Sequence, residues 1–515
     1  MVRQMRRAAV LALAIVACPE GQVGHELGTS GGSASASGGP GGATGSASAA
    51  GSTSGEQSSF PSDAGGDGGA GTGSADEGAK GEPPDLRFAV IGDYGLDGDN
   101  EAAVATLVLG WDPALVFTVG DNNYYSGEAS TIDVNIGKYY QSLISPYKGV
   151  FGPGGAENKL FPSPGNHDWG AGDLDPYLDY FTLPGNERYY RLRRGPCEFF
   201  MIDSDDHEPD GNAATSVQAQ WLEAALADSD APFKVVMMHH PPYSSGIHHG
   251  SVGMRWPYGE WGADLVVAGH DHDYERLVVD DVTYLVAGTG GASLRAFDVE
   301  EVGTQRGHAD AFGALQGRVN ANELTVEFIA TSGGIVDRVT LLAARPTSWE
   351  PLIAAGATWR FRESDPGPGW KALEYDAAWP AGPSPLGFGA GGEATTIPGG
   401  AMLDRPITTY FRHRFKASAA DVGAPLRLRL AVDDGAVVHL NGVEVYRIDV
   451  PAGPAYDSTT AVVPVGDWFA DHWTETAIPG AALRQGDNVL AIEVHQIAVV
   501  SSDLRLDVEL ASGRF

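Results

Sequence analysis

Cysteine is all but missing from this chain of 515 residues: Cys18 and Cys197 are the whole complement. Two thiols cannot build a disulfide framework or a cysteine-based zinc site. Basic residues are scarce as well, 33 Lys and Arg against 67 Asp and Glu, for a formal net charge of −34. A surface of that sign repels phosphate backbones, so no nucleic-acid backbone binding is expected. Aromatic residues are almost missing from Gly21 to Lys80, where Phe60 stands alone among 19 Gly and 12 Ser. Such a segment buries too little apolar surface to offset its ordering entropy, and residues 19–81 are expected to form a disordered tether.

A short leader precedes the tether. Arg3, Arg6 and Arg7 form a basic start, and the apolar run Ala8–Val16 is too short to cross a bilayer as a mature helix, so it reads as an export signal. Its end, Ile15-Val16-Ala17-Cys18, resembles a bacterial lipobox, which implies cleavage before Cys18 and lipidation of its thiol. Ordinary cleavage beside an incidental cysteine is the plainer alternative. Residues 1–18 are therefore expected to direct export. The destination is the outer membrane or cell surface as a lipoprotein touching the membrane only through its lipid anchor, otherwise the periplasm or medium. About 60 tether residues reach roughly 40–45 Å on average, enough to hold a folded domain clear of a membrane. Cys197 is expected to be a buried thiol on a strand.

Ordered sequence begins near Glu82. The apolar runs Leu86–Ile91, Ala114–Val119, Leu160–Ser163, Phe233–Met238 and Leu265–Ala268 have strand length, whereas Glu101–Leu109 and the amphipathic stretch Ser216–Leu226 have helical character. Strands alternating with helices predict an α/β sheet protein over residues 82–343. Each of the five runs leads into a polar, metal-capable residue: Asp93, Asp121, Asn166, His239 and His270. In α/β sheets, sites collect at the carboxyl ends of strands. With Tyr124 three residues beyond Asp121, and His272 two beyond His270, the set can supply two metal ions of mixed oxygen and nitrogen coordination sharing a carboxylate. His270-Asp271-His272 in an extended segment places both imidazoles on one side.

These residues carry a family resemblance. Gly92-Asp93-Tyr94-Gly95, Gly120-Asp121-Asn122-Asn123-Tyr124, Gly165-Asn166-His167-Asp168, Val236-Met237-Met238-His239 and Gly269-His270-Asp271-His272 stand in the order of the five blocks of the purple acid phosphatases, within the calcineurin-like metallophosphoesterases. The resemblance covers about residues 86–341. It implies a metallophosphoesterase sandwich of α/β (α+β) class and an acid phosphatase acting on small phosphate monoesters. Asp93, Tyr124 and His272 would bind Fe(III), Asn166, His239 and His270 a divalent ion (Fe, Zn or Mn), and Asp121 would bridge them. Two such ions would activate a water as hydroxide and polarise the phosphoryl oxygens. His167 would contact substrate, and His248-His249 resemble the paired substrate-side histidines of the plant enzymes. His249 or His167 is the expected proton donor, with Asp168 orienting His167; solvated loop residues are the plainer reading of His248 and His249.

After about Ala343 the texture changes. Thr409–Phe415, Leu426–Val432, Ala436–Leu440, Val443–Ile448 and Val489–His495 alternate or are β-branched, with Asp434-Gly435 and Asn441-Gly442 where hairpin turns are expected. Residues 350–515 are expected to be all-β, and Asp433–Val445 with Asn488–His495 resemble galactose-binding-like jelly rolls, which implies an extracellular or cell-surface glycan as a partner beside a purely structural role. Two other functions stay open: a phosphodiesterase or nucleotide phosphohydrolase, and a glycan-binding surface protein with a vestigial phosphatase domain. Every proposed donor lies before Asp273, so residues 82–343 are expected to suffice for chemistry.

Overall fold

The computed structural model of the chain describes residues 85–515 apart from 376–377, 463–468 and 470. The expected leader, Cys18 and the Gly/Ser tether lie outside the described residues. Among those described, no helix is long and apolar enough to cross a membrane.

The strands of the first half are β1 (Leu86–Ile91), β2 (Leu115–Val119), β3 (Leu160–Ser163), β4 (Tyr190–Arg194), β5 (Cys197–Met201), β6 (Phe233–Met237), β7 (Leu265–Ala268), β8 (Tyr274–Val279), β9 (Val282–Ala287), β10 (Thr304–His308), β11 (Gly313–Val319), β12 (Glu323–Ala330) and β13 (Ile335–Leu342). They form two sheets, one in the order β13-β12-β11-β1-β2-β3 and the other β10-β8-β9-β7-β6-β5-β4. In each sheet the parallel strands are mostly apolar and buried on both faces, β2 and β7 throughout their length. The sheets meet through aromatic rings: Phe117 of the first lies 4.2 Å from Phe199 of the second, and Phe88 lies 5.0 Å from the same ring.

The helix Asp99–Gly110 turns Val104, Ala105 and Val108 inward. The helix Val217–Asp228 packs Leu222 and Leu226 with Phe200, Val236 and Val266 of the second sheet. Its start is set by Ser216, whose hydroxyl accepts from the Ala219 amide at 3.1 Å. Cys197 is a buried free thiol on β5. Except at the antiparallel hairpin of β4 and β5, the expected α/β alternation holds as far as Ala268. Beyond it the chain turns antiparallel, with β8, β9, β11, β12 and β13 paired across short turns.

Residues 348–514 form two further six-stranded sheets. One contains Leu426–Asp433 and Leu504–Arg514, the other Thr408–Ala417, Gly486–His495, Gly435–Leu440 and Val443–Ile448. Asn441-Gly442 is a true two-residue hairpin, with φ of +52° and +88° and Leu440 paired to Val443. Asp434-Gly435 is not. The strands on either side of Asp434 pair in different sheets, so the turn chemistry marks a crossing between layers rather than a hairpin. The described residues belong to one compact unit. Its two halves are joined by polar contacts: Arg276 donates to the Glu475 carbonyl at 2.8 Å, the Thr340 amide to Thr476 Oγ1 at 3.0 Å, and Arg306 pairs with Asp449.

Candidate metal centre

At one edge of the facing sheets, five strands each give way to a polar residue. β1 runs through Gly92 to Asp93, β2 through Gly120 to Asp121, and β3 into the turn bearing Asn166; β6 leads to His239, and β7 through Gly269 to His270 and His272. The glycines are a matter of space. A Cβ on Gly120, which sits at φ +87°, would lie 2.5 Å from His239 Nδ1, and one on Gly269 would lie 2.5 Å from Asp93 Oδ2. Asp93, Asp121 and His270 themselves take left-handed φ of 55°, 52° and 72°. Side chains seldom adopt that region, and where they do the surroundings hold them there, commonly at a functional site.

The donor atoms converge in two groups. Tyr124 Oη stands 3.2 Å from Asp93 Oδ1, 3.0 Å from Asp121 Oδ2 and 3.2 Å from His272 Nε2. His239 Nε2 stands 2.9 Å from Asn166 Oδ1, 3.2 Å from His270 Nδ1 and 3.3 Å from Asp121 Oδ1. Asp121 faces one group with each of its oxygens. Cis ligands about 2.1 Å from a six-coordinate ion stand about 3.0 Å apart, so these spacings suit a metal ion in each group. Metal-capable atoms of Asp93, Asp121 and His272 lie within 4.8 Å of one another, as do those of His239, His240 and His270.

Outer contacts fix the imidazoles. His239 Nδ1 meets the Val119 carbonyl at 2.9 Å and His272 Nδ1 the Ser293 carbonyl at 2.6 Å. The proton on each Nδ1 is held by that carbonyl, which leaves each Nε2 lone pair for a metal. Burial holds His239 and His270 well below the ordinary histidine pKa, so both are neutral, as ligands must be. Burial, and then the charges of Asp93 and Asp168, push the Asp121 carboxyl well above its usual range. Burial beside Asp93 and Asp121 likewise raises the Tyr124 phenol. Among the described residues no Lys or Arg pairs with these two buried acids and the phenol, and a multivalent cation would provide the positive counterpart. The residues fit a metal pair.

Around this centre the other sequence-derived residues separate. His167 lies against Tyr124, ring centroids 4.4 Å apart, with Nδ1 on the Tyr125 carbonyl at 2.6 Å and its amide on Asp121 Oδ1 at 2.9 Å. His248 stacks 4.6 Å from His270. His249 turns outward at φ +59°, half-exposed, with Nε2 3.6 Å from Asp298 Oδ2. Asp168 does not hold His167. It accepts from the Gly165 amide at 2.8 Å and from the Asn122 amide and side chain at 3.1 and 2.9 Å, pinning the loops after β2 and β3 together. Burial raises its pKa to about 6. His240, to which the sequence assigns no role, has its ring 4.5 Å from His270 and its Nδ1 3.0 Å from Ser204 Oγ. The His239-His240 doublet was its only signal.

Known proteins resemble the first half of the chain. Residues 86–274 match the calcineurin-like phosphoesterase family. Purple acid phosphatase 17 of Arabidopsis thaliana is 25% identical over 291 residues, covering 49% of this chain and 83% of its own. Tartrate-resistant acid phosphatase type 5 of Oryctolagus cuniculus is 26% identical over 301 residues, covering 50% of this chain and 90% of its own. A purple acid phosphatase structure from yellow lupin seeds superposes with a TM-score of 0.42 at 18% identity, over 50% of this chain and 54% of that one.

Proposed function

We propose, from a calcineurin-like metallophosphoesterase domain with purple acid phosphatase homologues at low identity, which supports a phosphoric ester hydrolase, that this protein is an exported acid phosphatase hydrolysing phosphate monoesters at a binuclear centre of Fe(III) and a divalent ion. The observation that carries the reading is Tyr124, whose hydroxyl lies within 3.2 Å of Asp93, Asp121 and His272. A phenol in a donor set otherwise made of carboxylates and imidazole favours a hard trivalent ion.

When bound, the metal pair would supply Lewis acidity toward a phosphoryl oxygen and toward a water. Asp93, Tyr124, Asp121 and His272 would hold one ion; Asp121, Asn166, His239 and His270 the other. Asp121, with Oδ2 toward Tyr124 and Oδ1 toward His239, would be shared by both. His167, anchored at Nδ1 by the Tyr125 carbonyl, keeps Nε2 toward the centre, 3.9 Å from Asp121 Oδ2. That nitrogen is positioned to hand a proton to the leaving alkoxide. The loops bearing His167 and His248 flank the centre and would orient the ester.

Metal analysis and the visible spectrum of the purified protein, with assay on p-nitrophenyl phosphate in mild acid, test this reading. About one iron per chain, a visible band and turnover are expected. An active, colourless preparation holding two divalent ions would overturn the ferric assignment. Export and lipid attachment rest on residues 1–18 and are tested by Cys18→Ser, which should free the protein from membranes. A glycan contact of the C-terminal region rests on resemblance and is tested by glycan binding of the full chain.

A further inference from the structure

One cation at the rim of the centre has no role in the reading above. Arg295 lies on the loop after β9, and its amide donates to the His272 carbonyl at 3.0 Å. The same loop gives the Ser293 carbonyl to His272 Nδ1 at 2.6 Å, so the backbone on both sides of Leu294 is tied to one metal-capable histidine. The Arg295 guanidinium reaches across to donate to Nε2 of His248. His248 in turn stacks on His270 and takes its backbone position from Asp271, whose Oδ1 accepts the His248 amide at 2.9 Å. The two loops are latched further along, where the Asp298 amide donates to the Ser245 carbonyl at 2.9 Å and Glu301 to Ser245 Oγ at 2.8 Å. Arg295 is therefore tied by its backbone to His272 of one donor group and, through His248, to His270 of the other.

Its partner is unusual. Nearby Arg255 pairs with Glu301 at 2.7 Å, and in a chain with twice as many acids as bases a carboxylate is seldom far away. Half-buried Arg295 instead spends one N–H on an imidazole nitrogen of exposed His248, and no carboxylate pairs with it among the described residues. A guanidinium carries five N–H donors in a planar fork suited to phosphate oxygens. Most of that fork is left for something anionic that enters the site.

We infer that Arg295 is a specificity-determining residue that clamps the non-bridging oxygens of a phosphate monoester dianion, with His248 as the wall against which the fork is set. This rests on the phosphomonoesterase reading and names what that site selects. A monoester with second pKa about 6 carries close to two charges near neutrality and between one and two in mild acid, and at either pH presents three non-bridging oxygens, whereas a diester carries one charge and presents two. A fixed fork therefore discriminates by both charge and oxygen count. It also offsets, at the point of entry, the repulsion of a protein with a net charge of −34.

The test compares wild type, Arg295→Gln and Arg295→Lys as full-length protein with metal content measured in each. Rates are read on p-nitrophenyl phosphate and on bis(p-nitrophenyl) phosphate, and inorganic phosphate affinity by calorimetry. Arg295→Gln should raise the monoester KM and weaken phosphate binding by about 10- to 100-fold, as loss of a charged hydrogen-bond pair does. Its kcat should fall less, diester kcat/KM should stay within about threefold, and the lysine variant should recover part of the loss. Equal losses on the two esters would show that Arg295 only positions His248 and would overturn the proposal, as would unchanged phosphate affinity at unchanged metal content. A wild type that hydrolyses neither ester would instead overturn the phosphomonoesterase reading, while the phosphate titration would still report on Arg295.

Discussion

Arg306 of β10 and Asp449, just past the strand Val443–Ile448, form an ion pair buried at the junction of the two halves of the molecule. Asp449 is held there by its amide, which donates to the Ile335 carbonyl at 2.7 Å. β10 lies alongside β8, and Tyr274 at the start of β8 is two residues past His272. The junction is thus joined through β8 to the segment bearing His272.

Removing one partner of a buried pair leaves the other charge stranded, which costs about 3–5 kcal/mol. Asp449→Ala should therefore lower the melting temperature by several degrees, and a chain ending at Ala343 should be less stable still, although it keeps every proposed donor. Thermal denaturation followed by circular dichroism checks both. A truncated chain as stable as the whole would mean the junction contributes little.

The Tyr124 hydroxyl meets Asp93, Asp121 and His272, and in the proposed centre it becomes a ligand to Fe(III). Tyr124→Phe should abolish the visible band while iron, measured by elemental analysis, still binds. A band that survives would place the chromophore elsewhere.

Asp121→Asn removes the charge shared by both groups of donors and should reduce turnover beyond detection. His167→Gln should cost about 10²–10⁴-fold, the range for a lost proton donor. His249→Ala should change kcat by no more than about threefold, because that side chain faces Asp298 and solvent. Steady-state kinetics with metal content measured in parallel separates the three.

Glu101, on the helix Asp99–Gly110, is buried with neither carboxyl oxygen bonded among the described residues, and burial, then the charge of Asp97, raises its pKa to about 10. In the folded protein it stays protonated where the unfolded chain, at its ordinary value of 4.5, has already ionised. The unfolded state then binds fewer protons, so this contribution is complete below pH 4.5 and is lost as pH climbs toward 10. The slope is at most about 1.4 kcal/mol per pH unit. Glu101→Gln removes it, and its melting temperature should gain on wild type progressively from pH 5 to pH 9. A constant difference would show that Glu101 is ionised in the fold.

The sequence made the strand ends readable because each couples an apolar run to a glycine and a donor, a local pattern. β1, β3 and β7 fall where their runs were read, and Ser216 opens its helix as its hydroxyl requires. What it hid was non-local. Asp434-Gly435 has the composition of a hairpin turn, yet which sheets its flanking strands join depends on partners far away in the chain. His248 and His249 are neighbours, and only the fold shows that one turns to His270 and the other to Asp298. Arg295 carried no signal at all, since its meaning lies in a contact 47 residues distant.

The donors are divided between the sheets: Asp93, Asp121 and Asn166 follow strands of the first, His239, His270 and His272 those of the second. A pair of metal ions seated among them would act as a fastener across the seam, gripping both layers at one edge while Phe88, Phe117 and Phe199 grip them within. Its hold would tighten with free metal concentration and loosen under chelation, since ligand bound only by the folded form stabilises it. Rigidity would then follow metal supply: a starved molecule would be not only idle but also looser at that edge, and the first segments to yield to a protease would be the loops after β3 and β6.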